Sequence, residues 1–166
     1  MSIVSTITNE MIAYEGDNPH SINHFLKVYG FAKTIGELEG LDKDTQLILE
    51  IAALMHDIGI KISLEKYDSA AGPYQEKEGP PKARELMERH NINENIVDRV
   101  CYLIGHHHTY SNIDGLDYQI LVEADFLVNI YEGNMDKESI KSVREKIFKT
   151  KAGIEILDTM FNAKEL

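Results

Sequence analysis

The segment that decides the fold of this chain is Leu54-Met55-His56-Asp57-Ile58-Gly59. It closes an apolar helical run, Ile48-Leu49-Glu50-Ile51-Ala52-Ala53-Leu54-Met55, where a polar pair is unexpected. Burying an imidazole and a carboxylate costs free energy unless both groups have binding partners. A cationic histidine could simply cap the end of a helix, but the helix dipole disfavours an aspartate there. The pair is therefore better explained as two ligands of a bound ion.

The spacing of apolar residues predicts helices along most of the chain, and no segment alternates with period two. The predicted helices cover about 3–14, 20–39, 43–56, 80–90, 94–106, 117–131 and a tail of 136–163 that breaks around Gly153. The segment 59–79 is predicted to be a loop, because Gly72-Pro73 and Gly79-Pro80-Pro81 interrupt it. The helix centred on Ile51 is almost wholly apolar and should be the buried one.

These patterns predict an all-α protein with a single compact domain of about six to eight helices. The domain should span 1–166, with its core at about 20–132 and the C-terminal helices of 136–163 packed on that core. With 166 residues, 43% hydrophobic and 27% charged, the composition is that of an ordinary globular protein.

Charge and composition exclude several classes of function. The net charge of -11 argues against binding to duplex nucleic acid, which requires clustered Lys and Arg. No apolar run reaches the ~20 residues of a membrane-spanning helix, and the N-terminus does not resemble a signal peptide. The single cysteine, Cys101, fits a reducing compartment. We therefore expect a cytoplasmic protein that does not bind membranes; its oligomeric state, including a homodimer, stays open.

Other polar residues interrupt apolar segments at His24, at Asp125 and at the run His106-His107-His108. A lone histidine such as His24 is more often a packed core residue than a ligand. Asp125 could form a buried ion pair, but few basic residues fall at predicted core positions, which favours a metal ion or a histidinium as its partner. The three histidines follow an inward-facing helix end, and on their own they are weak evidence.

Imidazole and carboxylate ligands together favour a first-row transition metal (Mn, Fe, Co, Ni or Zn) over calcium or magnesium. Such a cation lowers the pKa of bound water and stabilises charge on a phosphoryl oxygen. The pattern of residues therefore indicates hydrolytic chemistry at a metal centre.

The sequence resembles the HD-domain superfamily of metal-dependent phosphohydrolases over about residues 20–132. The similar segments are His24-Phe25-Leu26-Lys27-Val28, Ala53-Leu54-Met55-His56-Asp57-Ile58-Gly59 and Glu123-Ala124-Asp125-Phe126-Leu127. The resemblance implies an all-helical core with one or two metal ions, and it assigns the metal ligands as His24, His56, Asp57 and Asp125. It also implies that Asp57 orients the attacking water.

Family members with two metals add histidines from intervening helices. This chain offers His106, His107 or His108 for one such position, and the spacing does not choose among them. Two-metal members of the family often have another histidine ligand just before the position of Gly79-Pro80-Pro81. This chain has Gln75, Glu76 and Glu78 there, so Glu76 or Glu78 would have to replace the imidazole as a metal ligand.

The predicted function is hydrolysis of a small phosphate ester, such as a nucleotide, by metal-activated water. Asp57 would act on the water, His107 or His108 would stabilise developing charge, and Lys61 would neutralise phosphate, although a solvated loop lysine is the simpler explanation of Lys61. Two alternatives stay open: a non-catalytic metal-binding module for regulation or sensing, and a di-iron oxygenase of the same fold.

Overall fold

The computed structural model describes residues 1–166 and is helical throughout. Its nine α-helices are α1 (Ile3–Glu15), α2 (Pro19–Leu38), α3 (Lys43–Met55), α4 (Gly59–Tyr67), α5 (Gly72–Met87), α6 (Glu94–Ile104), α7 (Leu116–Glu132), α8 (Lys137–Lys146) and α9 (Lys151–Phe161). Two short 3-10 turns, Glu88–His90 and Ala163–Glu165, follow α5 and α9. The predicted all-α class is confirmed. None of the helices combines the length and the apolar character needed to cross a bilayer.

Local capping explains where the two helices nearest the site begin. The Asn18 side chain accepts a hydrogen bond from the backbone N–H of Ser21 (3.2 Å), and Pro19 occupies the first turn of α2. The Asp42 side chain accepts from Asp44 N (3.0 Å) and Thr45 N (3.1 Å) at the start of α3. Both helices therefore begin within one residue of the predicted positions.

Helix α3 is the buried centre of the bundle, as its composition predicts. Leu49, Ile51, Leu54 and Met55 are completely buried, and α3 packs against α1, α2, α6 and α7. Each such side chain contributes on the order of 1.5–3 kcal/mol through burial. The residues that directly follow α3 are consequently held at the centre of the protein.

The prediction of a loop over 59–79 is wrong, because α4 and the first half of α5 occupy it. Pro80 and Pro81 lie inside α5 instead of opening a helix. Gly59 and Gly79 are contact residues, because a Cβ at Gly59 would lie 2.7 Å from the Gln75 carbonyl oxygen and 2.8 Å from Gly79 N. The glycines thus let α4 and α5 approach closely, and they do not terminate helices here.

The break in the C-terminal helical segment lies at 147–150 and not around Gly153. The completely buried carboxylate of Glu123 on α7 accepts hydrogen bonds from the backbone N–H groups of Lys149 (2.6 Å) and Thr150 (2.9 Å). Thr150 in turn accepts from Gly153 N (2.9 Å) and caps α9. Glu123 therefore fixes the start of α9, which places Gly153 within its first turn.

Candidate metal centre

Four predicted ligands from three different parts of the chain meet at one point. His24 lies on α2, His56 and Asp57 lie in the turn after α3, and Asp125 lies on α7. His24 Nε2 and His56 Nε2 are 3.2 Å apart. Each of these atoms lies 3.2 Å from Asp57 Oδ2 and 3.3–3.4 Å from Asp125 Oδ1. The mutual packing of α2, α3 and α7 brings the four atoms together.

The outer nitrogen of each histidine ring already has a partner. His56 Nδ1 donates to the Ala53 carbonyl oxygen (2.8 Å), and His24 Nδ1 donates to Glu132 Oε2 (2.9 Å). Because a carbonyl and a carboxylate can only accept, both Nδ1 atoms carry hydrogen in the neutral rings. The two Nε2 atoms then present lone pairs to the centre. Such outer contacts are typical of histidines that bind metals.

The electrostatics of the cluster favour a cation at its centre. Burial opposes protonation of His24, but hydrogen bonds to Asp125 and Asp57 outweigh it and raise the pKa of His24 to about 9. Burial likewise opposes protonation of His56, and the charge of Asp57 and the contacts with Asp125 raise its pKa well above the usual value. The histidines in turn hold the pKa values of Asp57 and Asp125 well below normal despite burial. Both carboxylates are therefore ionised and need positive charge beside them.

The donor set fits a divalent transition metal. Two ligand atoms bound about 2.0–2.1 Å from a tetrahedral zinc ion lie roughly 3.3 Å from each other. The five measured separations among the four donor atoms are 3.2–3.4 Å. Without a metal, protons on the Nε2 atoms supply the positive charge beside the carboxylates. A divalent cation would replace those protons and accept the lone pairs of both Nε2 atoms. Mixed nitrogen and oxygen ligation suits first-row metals.

Two of the three consecutive histidines extend the cluster. His107 donates from Nδ1 to the Ile104 carbonyl oxygen (2.8 Å), which leaves Nε2 buried and without a hydrogen-bond partner, 3.5 Å from Asp57 Oδ1. Asp57, His107 and His108 offer ligand atoms that lie within 4.8 Å of one another. His108 Nε2 lies 3.1 Å from Gln75 Oε1, and burial together with His107 lowers the pKa of His108 to about 4. Asp57 therefore faces His24 and His56 with one oxygen and His107 with the other.

The cluster forms the floor of an open pocket of about 260 Å³. The pocket is lined by His20, Ser21, His24, Asp57, Ile60, Gln75, His108, Asp125, Asn129 and Glu132. Only Ile60 among them is hydrophobic. The arrangement gives a small polar molecule direct access to three of the four predicted metal ligands, His24, Asp57 and Asp125.

Three residues that the sequence offered for the site lie elsewhere. The His106 ring turns back, with Nδ1 2.7 Å from the Tyr102 carbonyl oxygen and the ring stacked on Tyr102. Glu78 pairs with Lys66 (2.8 Å). Lys61 Nζ donates to the Tyr14 carbonyl oxygen (3.3 Å) and does not line the pocket.

Glu76 supports the site without facing the donor cluster. Its Oε1 accepts from the backbone N–H of His108 (3.0 Å) and from the Thr109 hydroxyl (2.9 Å), so it fixes the turn that carries the histidines. Neither Glu76 nor Glu78 thus replaces the missing histidine at the centre.

Sequence reasoning missed five pocket residues, namely Ser21, Ile60, His20, Asn129 and Glu132, and the last three share a helical face with a predicted ligand. A signal was present, because residues four and seven positions apart share a face of a helix. His20 precedes His24 by four residues, and Asn129 and Glu132 follow Asp125 by four and seven. Asn129 Nδ2 donates to Asp125 Oδ1 (2.9 Å), so this helical face continues the site outward.

The fold and the site together define an all-helical protein with a His-Asp cluster that could hold a metal ion. The family model of the HD domain matches residues 21–158, and the chain belongs to that family. HD-domain proteins bind divalent metals and are in general metal-dependent phosphohydrolases, although some are non-catalytic. Comparisons with curated proteins and with solved structures find no significant match.

Proposed function

We propose that the protein is a metal-dependent phosphohydrolase that acts on a small phosphate ester, with nucleotides as the first class to test. One observation carries the proposal: three of the four clustered ligands, His24, Asp57 and Asp125, line an accessible pocket, and the buried His56 ring lies directly behind them. A catalytic metal site needs such an open side for water and substrate.

His24, His56, Asp57 and Asp125 would hold the divalent cation. When bound, the cation supplies an acidified water and stabilises charge on the phosphoryl oxygen. Asp57 Oδ2 lies among the ligand atoms, while Oδ1 points toward His107 and is available to orient the attacking water. The unpartnered Nε2 of His107 can accept a proton from that water or bind a second cation.

The role proposed for His107 differs from the one its position in the sequence suggested. Because Nδ1 donates to Ile104, the neutral ring has no hydrogen on Nε2 with which to stabilise developing negative charge. Lys61 is not part of the proposed machinery, since it contacts Tyr14 outside the pocket.

Metal content tests the ligand assignment directly. The protein is purified without chelator or affinity nickel, and bound metal is measured for the wild type and for a His56→Ala, Asp57→Ala double variant. We expect the double variant to lose the metal. His106→Ala is the matched control, because its ring faces away from the cluster. Unchanged metal content in a double variant that retains its helical circular dichroism would overturn the assignment.

Activity is tested on a panel of nucleotides and other phosphate esters with added manganese, cobalt or iron. We expect metal-dependent release of phosphate that is lost in Asp125→Asn. A folded, metal-loaded protein that hydrolyses no member of the panel would contradict the proposed activity and favour the regulatory module. A spectroscopically coupled iron pair would instead favour the oxygenase.

A further inference from the structure

The charge of the pocket limits how much negative charge a substrate can bring. None of the ten lining residues is Lys or Arg, and three of them, Asp57, Asp125 and Glu132, are carboxylates. A divalent cation would balance the charges of Asp57 and Asp125 alone. The whole chain adds a repulsive background with its net charge of -11.

Two basic residues close in sequence to pocket residues, Lys27 and Lys61, contact other groups of the protein. Lys27 Nζ lies 2.7 Å from Glu132 Oε1, so its positive charge is paired with this pocket carboxylate. Lys61 donates to the Tyr14 carbonyl oxygen and lies over the Tyr14 ring, 5.3 Å from its centroid. Phosphate groups beyond the one at the metal would therefore meet no Lys or Arg in the lining of the pocket.

The remaining wall of the pocket consists of neutral polar groups and one free histidine. Ser21 and Asn129 can contact hydroxyl or amide groups of a substrate. His20 is exposed, and its ring makes no hydrogen bond within the protein. At about 260 Å³ the pocket is also smaller than the roughly 300–1,000 Å³ typical of sites for drug-sized ligands. Its size suits one phosphoryl group and the adjoining part of the substrate, and the rest of the substrate would lie outside the open mouth of the pocket.

We propose that the substrate is a small phosphomonoester, and that di- and triphosphates of the same alcohol are poor substrates. This inference rests on the proposed function. In the reaction, the oxygen of water forms a new bond to phosphorus, and the bond between phosphorus and the ester oxygen breaks. One proton of the water passes to the departing alkoxide, which gives a free alcohol and inorganic phosphate.

Matched substrates test the inference. The mono-, di- and triphosphates of adenosine, guanosine, cytidine and uridine are compared at a fixed concentration of free manganese, beside p-nitrophenyl phosphate and bis(p-nitrophenyl) phosphate. We expect kcat/KM for the best monophosphate to exceed that of its triphosphate at least tenfold. The ratio of the two kcat/KM values should fall as added salt screens the repulsion between the triphosphate and the acidic pocket.

The possible failures are distinguishable. Equal or faster hydrolysis of a triphosphate, or a preference for the diester, would overturn this inference and leave the phosphohydrolase proposal intact. No metal-dependent turnover of any ester would overturn both. Binding gives a readout independent of turnover: adenosine monophosphate should raise the melting temperature of the metal-loaded protein more than the triphosphate does at equal concentration.

A charge variant tests the physical cause. His20→Lys places a cation at the pocket rim, and we expect the triphosphate-to-monophosphate ratio of kcat/KM to rise at least threefold. Asn9→Lys is the matched control, because it adds the same charge at an exposed position of α1 that does not line the pocket. An equal rise in both variants, or no rise with His20→Lys, would contradict repulsion within the pocket as the cause.

Discussion

Both nitrogens of the His24 ring have partners: Nε2 faces Asp57 and Asp125, and Nδ1 contacts Glu132. Glu132 Oε2 accepts from His24 Nδ1 at 2.9 Å, and Oε1 pairs with Lys27 at 2.7 Å. The contact keeps the hydrogen on Nδ1 and leaves Nε2 free to bind a cation. At the scale of single residues, the candidate metal centre therefore depends on a carboxylate, Glu132, that lies outside the cluster of donor atoms.

We predict that Glu132→Gln lowers metal affinity by about 10–100-fold, because outer-shell partners orient the ligand ring and raise its basicity. The dissociation constant is measured by competition with a metal-binding indicator dye. Lys27→Gln is the control, since it removes the exposed ion pair but keeps the contact with His24. Its effect should be about fivefold or less. Equal losses in the two variants would show that the orientation of His24 is not the cause.

Helices α4 and α5 depend on the absence of a side chain where they meet. Gly59 lies two residues after Asp57 and packs against the backbone of Gln75 and Gly79. This close contact joins the His56-Asp57 turn to α5, and α5 packs against α6. At the scale of elements, the glycine positions the site through helix packing.

We predict that Gly59→Ala destabilises the protein by about 1–3 kcal/mol, because the added methyl group overpacks a contact between backbones. Gly30→Ala is the matched control, since a Cβ at Gly30 in α2 would meet no atom within 4 Å. That control should be stabilising by roughly 0.5–1 kcal/mol, as alanine favours helix more than glycine does. Urea unfolding measures both free energies. A Gly59→Ala variant as stable as the wild type would contradict the close-packing explanation.

The candidate metal site joins α2, the end of α3 and α7, so a metal bound there should stabilise the whole molecule. We predict that a chelator lowers the melting temperature by about 5–10 °C relative to protein with metal at 100 times its dissociation constant. The reason is that the folded protein assembles the four ligands and the unfolded chain does not. The shift is measured by calorimetry with and without chelator, and it should be absent in Asp125→Asn. An identical melting temperature in both conditions would argue against a site that links these helices.

Much of the fold could be predicted from the sequence because most helices carry their own signals. Asn18-Pro19 and Asp42 mark the starts of α2 and α3, and the apolar run of α3 identifies the central helix. The segment 59–79 could not be predicted in the same way. Its glycines and prolines usually interrupt helices, and only contact with a neighbouring helix shows that Gly59 and Gly79 permit close packing.

The sequence by itself determined the helical class and the residue types of the candidate site: His24, His56, Asp57 and Asp125. The cost of placing polar groups in apolar helical segments made these residues candidates, and the resemblance to the HD-domain family assigned them as metal ligands. Only the tertiary structure decided which of His106, His107 and His108 faces the centre, that Lys61 turns away, and that Glu132 supports His24. These outcomes depend on side-chain directions in turns and across helices, which local periodicity does not specify.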